Sequence, residues 1–81
     1  MSGVDAEVAE LVALELGRDS VALGDHLVED LGAESIDVLN IVTLLEETFA
    51  IRIEEERLSS MRTVQDLADE VGRVLGRPGG A

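Results

Sequence analysis

The sequence predicts an all-α protein: a small four-helix bundle with a long loop between helices 1 and 2 and a short third helix. Two observations lead there. Apolar residues return at helical spacing in three separate stretches, and no stretch alternates apolar with polar residues as a strand would. At 81 residues and 8.6 kDa the chain has room for one compact core and not two. A single domain is expected over residues 1–76, with 77–81, rich in Gly and Pro, as a flexible tail.

From Val4 to Leu16 the residues Val4, Val8, Leu11 and Val12 mark a first helix, and Gly17 is its expected stop. Residues 17–34 carry Gly24 and Gly32 and a scatter of apolar residues without sustained period. A connection of that length is either functional or tied down, and Val21, Leu23, Leu27, Val28 and Leu31 favour tying down, with a short turn at Leu27–Leu31. Ser35, a natural N-cap type, opens the second helix, which runs to about Phe49 with Asp37 in its first turn. After Ile51-Arg52-Ile53, the run Glu54 to Leu58 reads as one short helical turn with its acids at the N-terminal end. Thr63 and Asp66 form a capping-box pattern before a final helix whose stripe is Val64, Leu67, Ala68, Val71, Val74 and Leu75.

The second helix has two apolar faces. With Ser35 at zero, Val38, Ile41, Val42, Leu45 and Phe49 fall between about 240° and 340°, which makes them the core face. Ile36 and Leu39 lie on the other side with Thr43 and Glu46. Either the long loop covers them or they are a contact surface for a partner, and the second reading is favoured.

Charge surrounds that side. The chain has 18 Asp and Glu against 6 Arg and no Lys, a formal net charge of -12. Asp25, Glu29, Asp30, Glu34, Asp37, Glu46, Glu47, Glu54, Glu55 and Glu56 cluster in the middle, with only Arg52 among them. Such a field steers basic protein partners and opposes nucleic acid and anionic lipid. With one aromatic residue, Phe49, there is no stacking platform for bases either. No stretch approaches a membrane span and no leader pattern precedes Asp5, so a cytoplasmic protein without stable membrane insertion is expected. Met1 and the short lead favour a free-standing protein, and a monomer is expected.

Self-contained catalysis is not expected. Ser35 lies in Ala33-Glu34-Ser35-Ile36-Asp37, outside any nucleophile elbow, and the one histidine, His26, reads as a surface loop residue. No acid spacing fits a calcium loop, and no cysteine can serve as ligand or nucleophile, so no metal site is expected. What a serine at a helix start does well is hold a phosphate, because free N–H groups and the positive dipole end favour added negative charge.

The stretch His26-Leu27-Val28-Glu29-Asp30-Leu31-Gly32-Ala33-Glu34-Ser35-Ile36-Asp37, continuing through Leu44-Leu45-Glu46-Glu47-Thr48-Phe49, resembles the acyl carrier protein family. The likeness extends to the first helix ending in Leu16-Gly17 and to Thr63-Val64-Gln65-Asp66-Leu67 before the last. It departs from the usual pattern at Glu34, Ile36, Asn40 and Thr43. The resemblance implies that Ser35 receives a 4'-phosphopantetheine from coenzyme A, installed by a separate magnesium-dependent phosphopantetheinyl transferase. The arm's thiol then carries acyl groups as thioesters to enzymes of fatty-acid, polyketide or related biosynthesis. The acyl-transfer and condensing partners implied have basic surfaces, which Glu34, Asp37, Glu46, Glu47 and Glu54 to Glu56 would address, with Ile36, Leu39 and Thr43 as the apolar part of the contact. Leu45, Phe49, Ile53, Met61, Val64 and Leu67 would line a pocket for the acyl chain, or simply pack the core. An aminoacyl or peptidyl carrier, or a small acidic adaptor without cofactor, are the alternatives.

Overall fold

In a computed structural model, which describes residues 3–76, three α-helices and one 3-10 helix form the bundle: α1 (Gly3–Leu16), α2 (Ser35–Phe49), the 3-10 helix (Glu55–Ser60) and α3 (Val64–Gly76). The expected tail at 77–81 lies outside the described residues. Helix α1 packs on both α2 and α3. Its Val8 and Val12, fully buried, meet Ile41, Val42 and Leu45 of α2 and Val64, Leu67, Ala68 and Val71 of α3 in one cluster. The cluster is closed by Leu27, Leu31 and Ala33 from the long loop and by Ile53 and Met61 from either side of the 3-10 helix. Fully burying a Val or Leu side chain stabilises by roughly 1.5–3 kcal/mol, so these stripes are what holds so small a chain together.

The stripes correspond to the sequence expectation except at their margins. Val4 and Leu11 on α1 and Val38 and Phe49 on α2 are only partly buried against the core. In the last turn of α3, Val74 is half-buried and Leu75 exposed.

The helix ends explain the connections. Helix α1 stops at Gly17, which takes a left-handed φ of 69°, while the Arg18 N–H donates to the Ala13 carbonyl at 2.8 Å, a Schellman closure that glycine adopts without strain. The following loop is tied down. The Leu27 N–H donates to the Arg62 carbonyl (2.9 Å), the Val64 N–H to Asp25 (3.1 Å) and the Gln65 N–H to Leu23 (2.8 Å), around an isolated antiparallel bridge between His26 and Thr63.

Between His26 and Ala33 the backbone turns on itself, with N–H groups of Asp30 and Leu31 on the His26 carbonyl, Gly32 on Val28 and Ala33 on Leu27. Gly32 makes this possible with a φ of 70°. His26 is not the plain surface residue expected: half-buried, it accepts the Val28 and Glu29 N–H groups on Nδ1 at 3.3 and 3.2 Å, while its own N–H donates to Asp30 Oδ2 at 2.7 Å. The turn delivers the chain straight into α2.

Candidate functional site

Ser35 is the first residue of α2, not its N-cap. The N-cap is Glu34, with extended φ and ψ of -95° and 171°. Asp37 folds back to accept the Glu34 N–H on Oδ2 at 2.9 Å, and the Glu34 carboxylate completes the box on the Asp37 N–H in a looser contact. Ser would usually be preferred over Glu for this task. Here the two flanking carboxylates do the capping, and the Ser35 side chain is exposed with no hydrogen bond among the described residues. Its hydroxyl therefore stands free at the positive end of a fifteen-residue helix.

Helical spacing puts the expected contact residues of α2 on the side that carries Ser35. Ile36 is 58% exposed and Leu39 49%, so the loop does not cover them, and Thr43 and Glu47 are also exposed. Glu54, Glu55 and Glu56 are exposed at the start of the 3-10 helix.

Glu46 differs from its neighbour. Half-buried, it accepts the Ile53 N–H on Oε2 at 2.8 Å, and its carbonyl takes the Ala50 N–H and, at 3.1 Å, the Ile51 N–H. This closes α2 in the Schellman manner around Ala50, a non-glycine residue at φ 55°.

The six residues expected to line an interior pocket are contiguous. Leu45, Ile53, Met61, Val64 and Leu67 are buried in the one core cluster, and Phe49 packs partly buried against it.

Sequence reasoning missed one ionic feature. Glu70, only 5% exposed, is held by two arginines: Arg57 Nε donates to Oε1 at 2.9 Å, and Arg73 donates through Nη2 to Oε2 at 2.7 Å and through Nε to Oε1 at 3.1 Å. Hydrogen bonding from Arg73, then from Arg57, holds the Glu70 carboxyl below its ordinary value against the opposing effect of burial, and Glu70 in turn raises Arg73. Asp66 is lowered as well, by the Arg62 and Thr63 N–H groups that donate to its Oδ2 at 2.9 and 3.0 Å. Among the described residues no group of three or more acids or His could hold a metal ion, and no helix is long and apolar enough to cross a membrane.

A small acidic bundle that leaves one serine hydroxyl free at a helix start has the form of a carrier domain. The family model described as "Phosphopantetheine attachment site" matches residues 6–71. The acyl carrier protein of Syntrophobacter fumaroxidans is 33% identical over 75 residues, which is 90% of this chain and 93% of that protein. Acyl carrier protein 1, chloroplastic, from Casuarina glauca is 42% identical over 67 residues, or 83% of this chain, which spans about half (49%) of that relative's length. Among solved structures, BlmI, a type-II acyl carrier protein from Streptomyces verticillus involved in bleomycin biosynthesis, aligns with a TM-score of 0.77 at 30% identity, over 86% of this chain and 83% of that one. The chain belongs to the acyl carrier protein family, and its cofactor is 4'-phosphopantetheine.

Proposed function

We propose that Ser35 Oγ is the attachment atom of the phosphopantetheine arm and that residues 1–76 act as one non-enzymatic carrier of acyl intermediates in fatty-acid, polyketide or related biosynthesis. The observation that carries this reading is the free Ser35 hydroxyl, released from capping by Glu34 and Asp37. A phosphate on that oxygen would face the first-turn N–H groups of α2, and Asp37, though near, is turned back onto the Glu34 N–H. When bound, the arm supplies the thiol that a chain without cysteine lacks.

The residues around Ser35 do the recognising. Glu34, Asp37, Glu47 and the Glu54 to Glu56 run attract a basic transferase or acyl-processing enzyme, and Ile36, Leu39 and Thr43 are the desolvated centre of the contact. Glu46 contributes its charge from a tied position. Leu45, Phe49, Ile53, Met61, Val64 and Leu67 form the apolar interior into which an acyl chain would insert. The carrier works as a monomer in the cytoplasm.

The test is intact mass after incubation with coenzyme A, magnesium and a broad-specificity phosphopantetheinyl transferase. A gain of one phosphopantetheine that disappears in Ser35→Ala is expected. No gain, or a gain that persists in the variant, overturns the assignment.

A further inference from the structure

The turn that precedes Ser35 is capped by a titratable ring. His26 stands where a helix would have its N-cap: its Nδ1 accepts the N–H groups two and three residues on, from Val28 and Glu29, at 3.3 and 3.2 Å. Its own N–H is held in return by Asp30 Oδ2 at 2.7 Å, and its carbonyl takes the Asp30 and Leu31 N–H groups. Ser, Thr, Asp and Asn are the side chains that usually cap in this way. None of them ordinarily changes charge between about pH 5 and 8, whereas an imidazole does.

That turn sets the position of Ser35. Leu27, Leu31 and Ala33 are buried, the Ala33 N–H closes the turn on the Leu27 carbonyl at 2.9 Å, and Arg18 Nη2 donates to the Leu31 carbonyl at 3.2 Å. Directly after Ala33 comes Glu34, the extended N-cap of α2, and then Ser35. A change in the turn therefore passes into the start of α2.

One form of the ring fits. To accept two N–H groups Nδ1 must keep its lone pair, so the neutral ring carries its proton on Nε2. A proton taken from water at Nδ1 turns the acceptor into a donor aimed at two donors, and both bonds are lost. The charged groups nearby are Asp25, Glu29 and Asp30 on the same segment, and Arg62 and Asp66 across the His26–Thr63 bridge. Asp25 holds the Ala22 N–H, Asp30 that of His26, and Asp66 those of Arg62 and Thr63, so none of these carboxylates stands in for the ring at Val28 and Glu29.

We propose that His26 is a positioning residue for the modification of Ser35, acting through the turn 26–33 in its neutral form, and that protonation of the ring slows loading of the phosphopantetheine arm. The positioning role rests on the Ser35 assignment given under Proposed function; the cap does not.

His26 is the one histidine of the chain, so long-range proton–nitrogen NMR reads its ring without ambiguity. At pH 8 the proton should lie on Nε2, and the Val28 and Glu29 amide signals should move as the ring titrates, but not in His26→Asn. A proton on Nδ1 at pH 8, or amide signals that ignore the titration, would overturn the cap. Global stability gains from relief of repulsion over the same range, so the second readout is local: the rate of loading by a phosphopantetheinyl transferase with coenzyme A and magnesium. His26→Asn is the reference, because it keeps a cap acceptor that does not titrate and the transferase's own pH response cancels in the ratio. From pH 8 to 5.5 the unsubstituted protein should lose about 3–10-fold in rate relative to His26→Asn, the factor that loss of an N-cap allows. The loss should be equal at low and high salt, since geometry is not screened. His26→Ala should load more slowly than His26→Asn at both pH values. A constant ratio, a loss confined to low salt, or His26→Ala as fast as His26→Asn overturns the positioning role. Absence of loading at pH 8 in the unsubstituted protein overturns the Ser35 assignment and the positioning role with it, while the spectra still decide the cap.

Discussion

Two hydroxyl residues stand at helix starts in this bundle, Ser35 as the first residue of α2 and Thr63 just before α3, and the chain uses them in opposite ways. Thr63 is an N-cap in full: its Oγ1 accepts the Asp66 N–H at 3.1 Å, and Asp66 Oδ2 accepts the Thr63 N–H at 3.0 Å. At α2 the same box is built one residue earlier from two carboxylates, Glu34 and Asp37, and the serine that follows is left over. The same side-chain chemistry is structural where it is bonded and available for modification where a neighbour has taken its task. On the proposed attachment at Ser35, the difference teaches that a serine at a helix start is left for modification when its neighbours supply the cap.

The largest expected effect is all-or-none. Ser35→Ala should abolish phosphopantetheine loading, measured by intact mass, while its melting temperature stays close to that of the unsubstituted protein, since the lost hydroxyl bonds nothing (a change within about 0.5 kcal/mol). A large stability loss in that variant would break the comparison. Next, Thr63→Ala should lower stability by about 1 kcal/mol, a fall of about 4–8 °C in Tm for a domain of this size, with loading still complete. Loading lost along with stability would mean that the α3 cap also positions the attachment site.

The Glu46 and Glu47 pair sharpens the same contrast between tied and free groups. Glu47→Arg should slow association with a basic partner enzyme, more at low salt than at high salt, and leave stability unchanged. Glu46→Arg should do the same and in addition cost about 1 kcal/mol, because the Ile53 N–H loses its acceptor. Stopped-flow association at two ionic strengths and thermal melts read the two effects apart, and equal stability of both variants would count against the Glu46 tie.

The smallest effect is in the pH profile. Asp66 is depressed below its ordinary 3.8 and Glu70 below its ordinary 4.5. Their contributions are thus fully present above those values and lost as pH falls through the lower folded ones. Relief of repulsion in a chain of net charge -12 acts with the opposite sign on mild acidification. Tm should rise modestly from pH 7 to about 5 and fall below about 4, with Asp66→Asn flattening part of the fall. A steady decline from neutral pH would contradict this balance.

The stripes of α1, α2 and α3 were legible in the sequence because burial imposes a helical period, and the two-faced pattern of Ile36 and Leu39 was legible for the same reason. The helix start at Ser35 could also be read, but not the residue that caps it. Intrinsic preference ranks Ser above Glu at an N-cap, and only the turn His26–Ala33 decides which residue takes the extended conformation. Glu70 was hidden because Glu is almost never fully buried unless paired, and its partner Arg57 lies thirteen residues away. The available signal was its place three residues after Leu67 and three before Arg73, at the margin of the α3 stripe.

The closure of α2 has a consequence for how such a carrier can change partners over evolutionary time. Glu46 belongs at once to the acidic face and to the end of the helix, through its carbonyl on Ile51 and its carboxylate on Ile53. A lineage can rewrite the charge at Glu47 with little structural consequence, but every rewrite at Glu46 is also a change to the exit of α2 and to the bond that holds Ile53. Partner choice in descendants of this chain should therefore drift through Glu47 and Glu54 to Glu56, with Glu46 the acid that drift reaches last.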